Sequence, residues 1–345
     1  MKIPIQNLYY ILCYSWNKLE EGQLIDVSSI PKTDLPNLLA RVLCSGTRRL
    51  FRLGIDRGYL TAQLETSSPR GQIDFNTSIK RMLPVRQELA CNIDELSQDV
   101  MHNRILLTTL RYLATSMDVD ASLQREASAL AKSFVNVRTV KLSRSVFKTI
   151  ELNRNNRFYR LLLNVCELLY ECLLPEERSG GVRFKDFIRD EHAMRRVFQD
   201  FLFNFYLLRQ TDYKVRSEQI SWDAKGSTPE ASTRLPKMIT DISLTSLTRK
   251  LVIEAKFTAR TFQENWGKES LRSEHLYQIY AYLKNLERRG GVNSSAEGLL
   301  IYPAVSTELL LEYQLPDHLI RVATINLNQD WMKIESELLG YAGIA

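Results

Sequence analysis

The sequence predicts an α/β protein in two parts. Residues 151–345 form a domain with a mixed sheet flanked by helices, and residues 1–150 form a mixed α+β domain. Three observations carry this reading. The chain has 345 residues, 44% hydrophobic and 25% charged, which is enough for two cores of ordinary size. Beyond residue 184 helical and strand periodicities alternate. Before residue 150 the pattern is helical apart from a β-rich stretch at 55–90.

Each element has its own signal. Residues 7–19 read as a helix with Leu8, Ile11, Leu12 and Trp16 apolar and Asn7 as N-cap. Residues 35–53 read as a second helix, interrupted or ended near Gly46. GYLTAQLE and QIDFNTSI alternate on either side of the turn signal SSPRG, so 55–90 reads as a hairpin or β-rich insertion. Helical patterns resume at 103–115 and 123–134, followed by a basic, extended segment at 137–150. The polar run at 153–157 marks the domain junction, before an apolar helix at 158–174 and a loop, PEERSGG. The second part then runs helix 191–208, strand 213–222, a Gly/Ser/Thr/Pro-rich loop 223–236, and strands 238–244 and 250–257. Helix 273–287, strands 298–302 and 319–325 and helix 331–341 complete it.

Composition excludes several classes. The longest apolar stretch, 159–174, is broken by Arg160, Asn164, Glu167 and Glu171, so no segment is suited to a membrane. The N-terminus lacks a cleavable signal. Five dispersed Cys without a Cys-x-x-Cys, and four scattered His, argue against a zinc site or disulfide framework and for the cytoplasm. The net charge of +6 arises within residues 1–150, which suits a nucleic acid or an acidic protein partner. There is no G-x-x-x-x-G-K-[ST], G-x-G-x-x-G or G-x-S-x-G. The glycine pairs at 180–181 and 290–291 read as turns, and His275 beside Glu274 as a surface or packing histidine.

Chemistry concentrates in LPKMITDISLTSLTRKLVIEAKFTAR. Glu254 and Lys256 close an apolar strand and project to the same side. Pairing around the turn 245–249 brings Asp241 opposite or near Glu254. Two carboxylates there repel unless a divalent cation neutralises them, and oxygen ligands with open water positions suit Mg²⁺. A lysine beside that metal can hold or help deprotonate an attacking water. The triplet alone is weak, since Asp212-Tyr213-Lys214 and Asp223-Ala224-Lys225 share it and a solvated edge strand would produce it too. In the following helix Gln278 and Tyr282 stand at i and i+4 on one face, suited to a phosphate or water, or to packing on the sheet.

T-D-I, V-I-E-A-K and Q-x-x-x-Y in this order resemble the RecB-like branch of the PD-(D/E)xK nuclease superfamily. N-L-Y-Y-I-L-x-Y-x-W at 7–16, R-G-Q-I-D-F at 70–75, N-R-I at 103–105, L-P-K-M-x-T-D-I at 235–242 and G-L-L-I-Y-P at 298–303 resemble the McrC family, nearly end to end. That family is the nuclease subunit of McrBC-type, modification-dependent restriction systems. The resemblance implies Asp241 and Glu254 as metal ligands, the Ala255 carbonyl as a further one, Lys256 as the catalytic lysine, and Gln278 and Tyr282 as the remaining site residues. Thr240 replaces the usual Pro. Gln199 stands where many relatives carry Glu, so a third carboxylate would have to come from Glu191 or Asp200.

The same resemblance implies partners: an McrB-like AAA+ GTPase hexamer that itself binds the GTP, and double-stranded DNA with modified cytosine. Residues 1–150 would form the stalk that enters the ring and stimulates GTP hydrolysis, with 55–90 as its tip. Arg48, Arg49, Arg52, Arg57 and Arg70 are the candidate ring contacts. Two alternatives stay open, a non-catalytic regulatory stalk and a stand-alone RecB-like nuclease.

Overall fold

Aromatic residues decide where the N-terminal segment belongs. The computed structural model describes residues 3–25, 35–152, 156–175, 182–184, 190–224, 228, 230, 233–258, 262–265, 268–304 and 308–344. It divides into two units, Leu35–Lys185 on one side and Met1–Asp34 with Asp186–Ala345 on the other. The units therefore differ from a division at residue 150. The first 34 residues go with the C-terminal part, and residues 151–185 go with the segment before them. The junction read at 153–157 and the PEERSGG loop fall largely outside the described residues.

The first helices are α1 (Ile5–Ser15) and α2 (Leu19–Gly22). α1 begins two residues before Asn7, which is therefore not its N-cap. The middle unit follows with α3 (Leu35–Leu53), β1 (Gly58–Thr66), β2 (Gln72–Ile73), α4 (Phe75–Lys80), a 3₁₀ turn at Leu83–Arg86 and β3 (Leu89–Ser97). It continues with α5 (Met101–Thr115), α6 (Ala121–Lys132), α7 (Arg144–Lys148), α8 (Arg157–Cys172), β4 (Leu173–Pro175) and β5 (Val182–Phe184).

α3, α5, α6 and α8 pack on one another as the core of this unit. α3 runs unbroken through Gly46, where a Cβ would come within 2.3 Å of Leu162 in α8. Close helix approach, not termination, is what that glycine provides. The expected hairpin is also rearranged. β1 pairs along its length with β3, from Gly58↔Ser97 to Thr66↔Leu89, and β2 is a short third strand on β3. The alternation after Ile73 ends because Asp74 caps α4, accepting from the Thr77 amide at 2.9 Å. Asn103 explains the N-R-I motif. Its amide donates to the carbonyls of Asp56 (2.9 Å) and Gln98 (2.8 Å), while its oxygen accepts from Tyr159 of α8 at 2.9 Å. That link ties α8 to the open end of the β1–β3 pair.

The C-terminal unit comprises α9 (Glu191–Arg209), β6 (Lys214–Arg216), β7 (Gln219–Ile220), β8 (Met238–Ile239), β9 (Ile242–Thr245), β10 (Lys250–Ala255), β11 (Phe262–Asn265) and β12 (Lys268–Leu271). Then come α10 (Ser273–Glu287), β13 (Glu297–Pro303), β14 (Leu310–Gln314), β15 (Leu319–Ile325) and α11 (Trp331–Ala342). Six strands form one mixed sheet in the order β14-β15-β13-β10-β9-β6. β13 runs parallel to β10 and β15, and the outer pairs are antiparallel.

β10 is buried along its whole length, the apolar run Leu251, Val252 and Ile253 at its centre and the charged Lys250 and Glu254 on either side of it. Val252, Leu300, Tyr302, Ile320 and Val322 share one core with Ile279, Leu283 and Leu286 of α10. α9 packs against β10 and β6, and α11 against β15. α1 belongs here because its aromatic residues find their partners here. Tyr10 stacks on Trp331 at 4.9 Å, Tyr14 meets Phe201 and Phe205, and the Tyr14 hydroxyl donates to Glu335 at 2.9 Å. Asn7 donates to the carbonyls of Leu327 (2.9 Å) and Gln329 (2.8 Å). Among the described residues no helix is long and apolar enough to cross a membrane.

Candidate active site

The strand expected at 238–244 is broken in two, and the break makes the site. β8 pairs with β7, whereas β9 pairs with β10 and β6. Between them Thr240 is tied to Glu218, donating its amide to the Glu218 carbonyl and accepting from the Glu218 amide at its hydroxyl, both at 3.0 Å. Asp241 is thereby turned onto the end of β10. Its amide donates to Glu254 Oε1 (3.1 Å) and its Oδ2 accepts from the Ala255 amide (2.9 Å). The β9–β10 register, Ile242↔Ile253, places Asp241 next to Glu254, as the turn length predicts.

Glu254 and Lys256 share the side of the sheet covered by α10. Lys256 Nζ donates to Glu254 Oε2 (3.0 Å) and to Gln278 Oε1 (2.6 Å). Gln278 Nε2 donates to Glu254 Oε2 and to the Tyr282 hydroxyl, both at 3.0 Å, and Tyr282 donates to the Ile239 carbonyl at 3.1 Å. All five residues chosen from the sequence therefore converge. Two of them differ from expectation in what they offer. Both amide hydrogens of Gln278 and the hydroxyl hydrogen of Tyr282 are already used, so neither has a donor left for a phosphate. Their polar atoms orient Glu254 and Lys256 instead.

Electrostatics at this point are unbalanced. Burial raises the carboxyl pKa of Glu254, the Asp241 charge raises it further, and Lys256 offsets only part. Burial likewise raises Asp241, against the Ala255 amide and Lys256. Asp200 on α9 is also raised, by burial and then by the Asp241 charge, with Arg196 opposing. Of the two candidates for a third carboxylate on α9, Glu191 and Asp200, Asp200 is thus the group in the field of Asp241. Gln199 carries no charge, and Glu191 sits exposed in the first turn.

These residues fit a hard divalent cation. Asp241 Oδ1 receives no hydrogen bond from any described residue, and both buried carboxyls resist ionising without added positive charge. Among the described residues no three His, Cys, Asp or Glu side chains cluster tightly enough to cage a metal. Two carboxylates completed by water match the way Mg²⁺ binds.

Beside Lys256 lies a cleft of about 290 Å³ lined by Arg195, Phe257, Thr258, Arg272, Glu274, His275 and Gln278 as well as Lys256. Sequence reasoning did not select Arg195 or Arg272, and it set His275 aside. His275 does pack, its Nδ1 lying 2.8 Å from the Tyr302 hydroxyl, but it also faces this cleft. Burial, then the Lys256 charge, lower its pKa to about 4, so the ring is neutral. One signal was available: Arg272 and His275 flank the start of the helix that carries Gln278.

The C-terminal unit is thus an α/β unit with a mixed six-stranded sheet flanked by helices, carrying a carboxylate–lysine cluster at a strand break. Residues 5–303 match the family described as McrBC 5-methylcytosine restriction system component, and the chain belongs to that family. It is 31% identical over 337 residues to the type IV methyl-directed restriction enzyme EcoKMcrBC of Escherichia coli (strain K12), covering 98% of this chain and 96% of the relative. A solved assembly of Thermococcus gammatolerans McrB AAA+ hexamers with bound McrC contains a chain of similar fold, with a TM-score of 0.59 at 14% identity. That match covers 98% of this chain and 76% of the other.

Proposed function

We propose that this chain is the nuclease subunit of a GTP-dependent restriction complex that hydrolyses double-stranded DNA bearing modified cytosine, in the cytoplasm. The C-terminal unit would be a PD-(D/E)xK endonuclease of the RecB-like branch. One observation carries the reading: Asp241, Glu254 and Lys256 converge at a strand break beside a cationic cleft, in a chain of the McrBC family.

Asp241 and Glu254, with the Ala255 carbonyl, would hold Mg²⁺. When bound, Mg²⁺ supplies Lewis-acid stabilisation of phosphoryl charge and a more acidic water. Lys256 has three ammonium hydrogens, and Glu254 and Gln278 take two. The third is free for an oxygen of the scissile phosphate or of the attacking water. Gln278 and Tyr282 hold that ammonium and the Glu254 carboxylate in register. Asp200 would face the same cation.

The solved relative is bound to an AAA+ hexamer, and we extend that arrangement to this chain. GTP would be bound by an McrB-like ring, and the middle unit would contact the ring. Phe75 and Ile79 on α4, and Met82 and Val85 in the turn after it, are all more than 60% exposed, which suits a partner-binding tip within 55–90. Arg48 pairs with Glu126 and Arg49 lies over Phe158, whereas Arg52, Arg57 and Arg70 are exposed with no ion pair to a described residue and are better placed for the ring.

The test is cleavage of modified and unmodified plasmid with Mg²⁺, the partner ring and GTP. Wild type is expected to cut modified DNA, and Lys256→Ala to lose at least about a thousandfold in rate while still stimulating GTP turnover, since it removes a charge placed for the transition state. Val85→Asp should do the converse and lose stimulation. Undiminished cleavage by Lys256→Ala would refute the catalytic assignment. No cleavage by wild type, with stimulation retained, would leave a regulatory stalk.

A further inference from the structure

Three cations, Arg195, Lys256 and Arg272, line the cleft against a single carboxylate, Glu274. Lys256 is matched by Glu254 at 3.0 Å. Arg195 makes no ion pair with a described residue, yet its charge reaches both Asp241 and His275. It lines the cleft, near enough for its charge to act on both groups. Arg272 is near Glu274, but at 3.5 Å and against a carboxylate that is 69% exposed. Its Nε is buried and has no acceptor among the described residues. Glu274 is the one carboxylate among the residues lining the cleft.

His275 adds a directed donor. Tyr302 is fully buried, and its hydroxyl lies 2.8 Å from His275 Nδ1. When that hydroxyl donates, the neutral ring carries its proton on Nε2, which lies 3.6 Å from Glu274 Oε1, beyond hydrogen-bond distance, in the lining of the cleft. Two guanidinium groups and one neutral N–H around a cavity at the lower end of ligand size suit an anion with several oxygens. A guanidinium presents its N–H groups as a fork that matches phosphate.

We propose that Arg195, Arg272 and His275 form a phosphate-binding subsite, which grips a backbone phosphate of the DNA strand next to the one held at Lys256. This rests on the nuclease reading and deepens it. It gives the site a means of fixing strand register that is independent of the metal and of the partner ring.

The experiment measures binding rather than cleavage. The full chain is titrated into a fluorescent DNA duplex in EDTA, over a series of NaCl concentrations. Arg195→Gln and Arg272→Gln should each weaken binding and each reduce the slope of log K against log salt by about 0.9, the release expected for one phosphate contact. Arg272→Lys should restore that slope, because the charge returns. His275→Asn should weaken binding several-fold at every salt concentration with the slope unchanged, since a neutral donor releases no counterion. Lys333→Gln, an exposed cation on α11, should change neither. Unchanged slopes in both arginine variants, or no DNA binding by wild type at low salt, would overturn the subsite. A reduced slope in His275→Asn would overturn its neutral role. The nuclease reading fails separately, if Lys256→Ala cuts as well as wild type.

Discussion

The two ends of β10 bury charge in opposite ways. At its start Lys250 is 3% exposed, and its ammonium donates to Glu218 at 2.6 Å. Arg289 reaches the same carboxylate at 2.7 Å. Two cations face one carboxylate, so despite burial the Glu218 pKa is lowered, by Lys250 and then Arg289. A neighbouring group repeats the pattern, with Glu297 between Arg249 and Arg321 and lowered in the same way. At the far end the ratio is reversed. Asp241 and Glu254 share Lys256, and both carboxyls are raised. Burial of charge is common to both ends, so burial alone does not mark a site. What separates them is which sign is left in excess.

That contrast predicts opposite consequences for removing a carboxylate. Glu218→Gln should strand a buried lysine and destabilise the C-terminal unit by about 3 kcal/mol, read as a fall in its thermal midpoint. Asp241→Asn should instead stabilise the metal-free protein near pH 8, by about 2 kcal/mol, because Glu254 then ionises without a neighbouring like charge. Equal destabilisation by both would show that the two ends are electrostatically alike and would remove the argument for a cation.

The pH dependence carries the same sign. Asp241 and Glu254 have folded pKa values above their unfolded ones, so their stabilising contribution is complete below the ordinary carboxylate range. It is lost as pH rises through the raised values toward neutrality. In EDTA the thermal midpoint of wild type should fall between about pH 5 and pH 8, and Asp241→Asn should flatten that fall. Added Mg²⁺ should raise the midpoint at pH 8 and do little at pH 5, where Glu254, its pKa raised to about 7, keeps its proton. A midpoint indifferent to Mg²⁺ at both pH values would contradict a cation at Asp241 and Glu254.

The legible part of this molecule is the part set by short-range rules. The turn at 245–249 fixes the β9–β10 register, and strand alternation puts Glu254 and Lys256 on one side, so their meeting with Asp241 could be read directly. Helix 273–287 was equally plain from its period. What escaped depends on distant partners. Nothing local to α1 says that Tyr10 will stack on Trp331 or that Asn7 will bind the carbonyls of Leu327 and Gln329. Nothing in GYLTAQLE says that it will pair with 89–97 rather than with the nearer alternating run. The Asp74 cap that ends that run looks like any other Asp until the helix behind it is seen. Of the cleft residues, Arg272 and His275 share the start of α10, but Arg195 comes from α9, far away in the chain, and only the fold brings it to them.

The smallest expected effect tests whether the α10 side of the cluster is scaffold or chemistry. Tyr282 is mostly buried, accepts from Gln278, and spends its one hydrogen on the Ile239 carbonyl. Tyr282→Phe keeps the ring in its packing and removes both bonds, leaving the Ile239 carbonyl without that donor at a loss of about 1 kcal/mol in stability. Gln278 would keep its bonds to Glu254 and Lys256, so those two groups should loosen rather than detach. The expected result is a cleavage rate lowered about tenfold, which matches 1.4 kcal/mol, with unchanged affinity for DNA in EDTA. A loss as large as that of Lys256→Ala would mean that the hydroxyl itself meets the substrate, and that the hydrogen bond to Ile239 is exchanged when DNA binds. An effect confined to stability would place Tyr282 with the structural charges at the other end of β10.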